Sequence, residues 1–320
     1  MTTTVQNKFL RSACIAALLA ASTVFGSVSA VAQEETAAEG VAAFAASEEP
    51  PVFDTADAAV DALKSALVAD DFAGVAKLLG LDAEKARDSD GAMETFAEIR
   101  EGAAKQVVVQ ELDDRRILRI GDRLWPLPFP IVRGDDGKWS FDTYAGLEEI
   151  VNRRVGENEL EAIATMRAYV DAQQDYAEAD RDGDGVLEFA QKLISSEGMT
   201  DGLYWPSDEI NGESPAGDLS QTELADAEKG EGYFGYRFKI LNGQGDNIAG
   251  GAYDYVINGN MIGGFALVAW PVKYAETGVK IFAVNQHGIV YEADLGPATE
   301  QIVKYIDRFN PDESWSVVAD

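Results

Sequence analysis

The sequence predicts an α+β protein with two folded units behind a removable leader. Three observations carry this. Apolar residues recur at helical spacing in two separate blocks, from about residue 54 and again from about residue 147. Each block gives way to short β-branched and aromatic runs broken by Gly, Asp and Asn. And 320 residues exceed what a single core of ordinary size requires.

The leader comes first. Residues 1–32 carry Lys8 and Arg11 and no acidic group, followed by an apolar run from Ala13 to about Phe25 and a small-residue ending, Ala30-Val31-Ala32. Basic start, short apolar stretch and A-x-A ending form a secretory signal peptide, with cleavage expected before Gln33. The run is short for a membrane span. The only cysteine, Cys14, lies inside it, and Arg11 occupies the position where a lipoprotein signal needs an apolar residue. The expected mature chain has no disulfide, thiol chemistry or stable membrane anchor, and it is periplasmic or secreted.

Residues 33–53 read as a flexible linker ending in Glu-Glu-Pro-Pro. The N-terminal domain, 54–146, opens with an N-cap at Asp54 or Thr55 and the helical series Val60, Leu63, Leu67. Shorter helices are expected over Phe72–Leu79 and Ala92–Arg100. The period then changes to strands at Val107–Val109, Ile117–Ile120 and Leu124–Val132. Gly134-Asp135-Asp136-Gly137 should turn the last of these into Lys138–Phe141. Helices followed by a bent antiparallel meander are analogous to NTF2-like or cystatin-like folds, a likeness that carries no function.

The C-terminal domain, 147–320, begins with helical pattern at Leu147–Val151. It resumes over Asn158–Ala177 with Leu160, Ile163, Ala164, Met166, Tyr169 and Val170 on one face. A short helix is expected over Leu187–Ile194, and residues 201–232 read as loop. Strands are expected at Tyr233–Leu241, Ala252–Ile257, Met261–Ala269, Val279–Val284 and Ile289–Ala293, with hairpin signals at Asn242-Gly243 and Asn258-Gly259-Asn260. A helix over about Thr299–Arg308 closes the chain.

Composition excludes several functions. With 26 Lys+Arg against 56 Asp+Glu, the formal charge is −30, which leaves no basic face for nucleic acid. The single histidine, His287, sits in a turn-like Asn285-Gln286-His287-Gly288, so Cys/His nucleophiles and histidine zinc sites are excluded. No phosphate-binding glycine loop or nucleophile elbow is present.

One motif is specific. Asp180-Arg181-Asp182-Gly183-Asp184-Gly185-Val186-Leu187-Glu188 matches the first nine positions of an EF-hand calcium loop. Carboxylates at positions 1, 3 and 5 converge on a hard cation, and Gly185 permits the sharp turn. Val186 offers a backbone carbonyl, and Glu188 ligates directly or through water. Position 12 departs: Gln191 stands where a bidentate Glu is usual, so affinity should be weak to moderate, and no second loop pairs with it. The metal-free alternative is a connection whose aspartates only cap and turn. Three acids in five residues favour Ca²⁺, with a structural role.

Three tryptophans precede proline: Trp125, Trp205 and Trp270. They read either as strand ends carrying core aromatics or, around Tyr204 and Trp205, as an aromatic pocket rim.

Most of residues 55–318 resembles the bacterial domain of unknown function 2950 family. The segments that carry the resemblance are 125–130, 153–160, Ala172–Tyr176, Asp182–Ala190, Asp201–Pro206, Gly263–Pro271 and Val290–Gly296. It implies an exported bacterial protein of unassigned activity and brings no catalytic residue. Ala172–Tyr176 followed by Phe189-Ala190 is also similar to the helix-to-loop segment of type IV pilin-like domains, which pack a helix on an antiparallel sheet. The expectation is a non-enzymatic, calcium-stabilised binding or envelope-assembly module whose partner is an unidentified envelope protein or small molecule. The alternative is a carboxylate-dependent hydrolase or small-molecule-binding enzyme near 201–218, using residues such as Asp201, Asp208, Glu209 and Glu213.

Overall fold

The computed structural model describes residues 42–89, 91–217 and 232–319. The expected leader and the first part of the linker lie outside the described residues, as do residues 218–231 of the long loop. The chain divides into two compact units between Arg154 and Val155, and both are α+β.

In the first unit, helices α1 (Ala56–Val68), α2 (Phe72–Leu78), α3 (Ala83–Asp88) and α4 (Ala92–Lys105) precede strands β1 (Val107–Glu111), β2 (Arg115–Ile120), β3 (Trp125–Pro126), β4 (Ile131–Arg133) and β5 (Trp139–Phe141). Thr55, Asp71 and Asp82 cap the first three helices with side-chain oxygens. Ala59, Val60, Leu63 and Leu67 of α1 are buried against Leu118, Ile120, Ile131 and Phe141 of the sheet, which fulfils the spacing read from the sequence. The sheet is antiparallel in the order β1-β2-β4-β5, with β3 also on β2. The strand expected over Leu124–Val132 is broken in two: β3 and β4 pair with opposite ends of β2. Pro126, Pro128 and Pro130 remove every second donor from that run, so no continuous ladder forms.

The helical breaks expected near residues 147–158 do not occur. A single helix, α5 (Thr143–Tyr176), carries the chain from the first unit into the second. Gly156 weakens the stretch, but Arg153 pairs with Glu149 one turn back at 2.8 Å, and Arg153, Arg154, Glu157 and Glu159 around it are good helix formers.

In the second unit, α5 buries Ala162, Met166, Tyr169, Ala172 and Tyr176 in a core shared with Phe265–Ala269 and Ile281–Val284. Met166 and Tyr169 are buried and Ile163 and Val170 pack against this core as expected, whereas Leu160 is 68% exposed and Ala164 is exposed as well. The sheet, β14-β13-β12-β11-β6, is antiparallel throughout. Its strands are β6 (Tyr236–Leu241), β11 (Ala266–Pro271), β12 (Ile281–Asn285), β13 (Tyr291–Ala293) and β14 (Ser316–Val317), the last unforeseen. Between β6 and β11 lie two small ladders, β7 (Gly243–Gln244) with β8 (Tyr253–Asp254), and β9 (Val256–Ile257) with β10 (Asn260–Met261).

Asn258 and Gly259, at φ 55° and 99°, turn β9 into β10 as the sequence signalled. Asn242-Gly243 makes no such turn; Gly243 is extended in β7. The C-terminal helix is shorter than expected, with α6 covering Thr299–Ile302 before the chain tightens to a 3₁₀ turn at Val303–Tyr305.

A Cβ built on Gly156 meets nothing within 4 Å. Gly156→Ala should therefore stabilise the protein by about 0.5–1 kcal/mol, read as a higher urea midpoint with an unchanged slope. An unchanged or lower midpoint would mean that the helix is not continuous there.

Candidate metal centre

The loop at 180–188 is built by the backbone folding onto its own aspartates. Asp180 accepts the Gly183 amide at 2.8 Å on Oδ1 and the Gly185 amide at 2.9 Å on Oδ2. Asp182 accepts the Asp184 amide at 3.2 Å, and Asp184 accepts the Val186 amide at 2.8 Å. Gly183 and Gly185 adopt φ 79° and 88°, the left-handed region that glycine enters without cost. One oxygen from each of Asp180, Asp182 and Asp184 lies within 4.8 Å of the other two, and all three residues are exposed. The Gly185 amide is the chief cause that holds the Asp180 carboxyl below its ordinary pKa.

No Lys or Arg pairs with these three carboxylates among the described residues. Arg181, inside the loop, turns away: its Nε lies 3.5 Å from the Tyr176 carbonyl and its guanidinium 5.5 Å from the Trp205 ring centroid. Among the described residues, therefore, no side-chain cation relieves the mutual repulsion of the converging acids.

Beyond the loop the structure departs from an EF-hand. The helix expected over Leu187–Ile194 is absent; the segment is irregular, with isolated bridges at Phe189 and Ile194. Phe189 forms an antiparallel bridge with Met261, donating its amide to the Met261 carbonyl at 2.9 Å. Glu188 Oε2 accepts the Met261 amide at 2.7 Å, and the Gln191 side chain donates to the Gly259 carbonyl at 2.6 Å. Asn260 Nδ2 donates to Asp184 Oδ2 at 2.6 Å. The β9–β10 hairpin thus pairs with the loop exit where an EF-hand would offer a second loop. The sequence-predicted residues Asp180, Asp182 and Asp184 are brought together. Val186 follows them, while Glu188 and Gln191 are turned to the hairpin.

A residue that sequence reasoning passed over anchors the exit. Gln173 is fully buried; its Oε1 accepts the Ala190 amide at 2.8 Å, and its Nε2 donates to the Ala190 carbonyl and to Tyr169 Oη, both at 2.9 Å. Tyr169 in turn donates to the Ala266 carbonyl of β11 at 3.3 Å. Burial pushes the Tyr169 hydroxyl far above its ordinary pKa, so it stays a neutral donor. A polar residue on the apolar face of α5, four positions after Tyr169 and seven after Met166, was the available signal.

Of the two readings of Tyr204 and Trp205, core aromatics and pocket rim, the structure takes the core one. Tyr204 and Trp205 are 8% and 3% exposed, and Trp205 packs among the buried residues of the second unit. Its Nε1 donates to the Gly212 carbonyl at 3.3 Å. The carboxylates of that region serve local structure. Asp201 holds Lys192 and the Ser196 amide; partial burial would raise its pKa, and these partners bring it below the ordinary value. Asp208 caps its own turn through the Asn211 and Ile210 amides, which lower it likewise. Glu209 and Glu213 are exposed. No acid/base pair is assembled among the described residues, and a cavity of about 310 Å³ lies elsewhere, between Leu241, Ala283, Phe309 and Trp315. His287 is exposed in the β12–β13 turn.

Gln173→Leu would leave the Ala190 amide and carbonyl unpaired in the core. It should cost about 2–4 kcal/mol by urea denaturation, against about 0.5 kcal/mol or less for the exposed neighbour Gln174→Leu. Equal small effects would remove Gln173 from its anchoring role.

No curated protein matches the chain, and no solved structure does. Residues 51–318 match a family described as "Protein of unknown function (DUF2950)". With all but the two ends of the sequence covered, the chain belongs to the DUF2950 family of proteins of unknown function.

Proposed function

We propose that this chain is an exported, non-enzymatic binding or envelope-assembly module whose second unit is stabilised by calcium in the 180–191 loop. The observation that carries the reading is the convergence of Asp180, Asp182 and Asp184 within 4.8 Å of one another, with no cationic side chain among the described residues paired to them. Oxygen-only, flexible, exposed and doubly turned through glycine, such a loop suits a hard cation of the size of Ca²⁺. Asp180, Asp182 and Asp184 would supply carboxylates and Val186 its carbonyl. Glu188 would act at longer range, since its Oε2 serves the hairpin, and Gln191 contributes no charge.

Export is supported by the tripartite leader at 1–32. The non-enzymatic reading is supported by the sequence: outside the leader there is no cysteine, and the one histidine lies in a turn. The partner is an envelope protein or a small molecule.

At millimolar calcium, a site of extracellular affinity (Kd about 10⁻⁴–10⁻³ M) stabilises by about 0.4–1.4 kcal/mol. Calorimetric titration of the mature protein should therefore show saturable heat and a thermal shift of a few degrees. Asp180→Ala and Asp184→Ala should each abolish both. Because backbone amides lower Asp180, protons compete for it only below the usual Asp pKa of about 3.9. Its ionised form, and the loop order it supports, persists above that pH and is lost as pH falls through the lowered value, so binding should survive at pH 5. Absence of heat and shift at millimolar calcium would discard the site. Gln191→Glu should tighten calcium binding while lowering the metal-free stability. The new carboxylate adds ligand charge but cannot donate to the Gly259 carbonyl.

A further inference from the structure

The chain contains three Asn-Gly steps, Asn211-Gly212, Asn242-Gly243 and Asn258-Gly259. Such a step is chemically labile, because a glycine amide nitrogen, unshielded by a side chain, attacks the preceding carboxamide more readily than any other. The structure separates the three. Gly243 is buried in β7 opposite Asp254, where a Cβ would meet Arg308 Nη1 at 2.7 Å and the Tyr253 carbonyl at 2.8 Å. Asn242 is tied to the sheet as well, its carbonyl accepting the Tyr255 amide at 2.7 Å. The Asn211 carboxamide donates to Asp208 Oδ2 at 2.9 Å, and the Gly212 amide donates to the Asp208 carbonyl at 3.0 Å. Nucleophile and electrophile are both engaged there.

At Asn258-Gly259 neither is. Both residues are exposed, and a Cβ on Gly259 meets nothing within 4 Å. No hydrogen bond engages the Asn258 carboxamide or the Gly259 amide among the described residues.

We propose that Asn258 is a site of spontaneous deamidation in the folded protein. Base removes the Gly259 amide proton, and the nitrogen forms a bond to Asn258 Cγ. The bond from Cγ to the carboxamide nitrogen breaks, and ammonia leaves with the proton returned to it. The resulting succinimide takes up one water at either carbonyl, giving an aspartyl or isoaspartyl residue at 258. Nothing is oxidised or reduced. The product adds a negative charge to the turn whose next two residues hold Gln191 and Asp184, and the isoaspartyl form lengthens the backbone of that turn. The reaction does not require the loop to bind metal, so it stands or falls apart from the calcium reading.

The test is to incubate the mature protein in mildly alkaline buffer at physiological temperature and map it by peptide mass spectrometry. A second arm is held in concentrated urea. In the folded arm the peptide holding Asn258 should lose its amide first, with those holding Asn211 and Asn242 intact. In urea all three should convert at similar rates, which shows that the fold makes the difference. Conversion of Asn211 or Asn242 as fast as Asn258 in the folded arm would overturn the proposal. So would persistence of the Asn258 amide there while the urea arm reacts.

Discussion

The second unit depends on one buried carboxamide. Gln173 reaches from α5 to both backbone groups of Ala190 and to the Tyr169 hydroxyl, which continues the contact to Ala266 in the sheet. Helix, loop exit and sheet are fixed in one fully paired network. Pairing is the condition for its presence: a carboxamide without partners would be costly in this interior. Once Ala190 is held, Phe189 is placed against Phe265, with ring centroids 4.7 Å apart, and against the Met261 backbone. The acidic loop is then suspended between the end of α5 at Tyr176 and this latch.

That suspension explains why an EF-hand-like loop exists here without an EF-hand. In the usual arrangement a second helix and a second loop hold the cation site. Here the hairpin at 256–261 braces the acidic loop instead, through Glu188, Gln191 and Asn260. The position-12 residue is released from ligation to support the turn. A neutral Gln is suited to that work, because its amide donates where a carboxylate would be repelled by the Gly259 carbonyl. The departure from the motif at Gln191 is therefore matched by a structural requirement of the hairpin.

Much of this was legible in the residues. The α1 series, the β1–β2 ladder, the Gly134–Gly137 turn and the Asn258-Gly259 turn follow from periodicity and turn chemistry, which are local. Convergence of Asp180, Asp182 and Asp184 was legible because their spacing alone builds the loop. The misses are non-local. Leu187–Ile194 has helical composition, yet pairing with Met261 and Gln173 overrides it. Asn242-Gly243 carries a hairpin signal, yet β8 captures Gly243 as a strand. The choice of core over rim for Tyr204 and Trp205, and the partners of Gln173, are set by tertiary packing. Nothing near these positions in sequence reveals their partners.

Amide hydrogen exchange on the mature protein, resolved by residue and run with and without calcium, tests the anchoring role of Gln173 most directly. The amides of Phe189, Ala190 and Met261 should exchange as slowly as those of β11 in both conditions. Residues 181–186 should exchange fast without calcium and slow with it. Rapid exchange at Ala190 without calcium, matching that of the exposed loop, would contradict it.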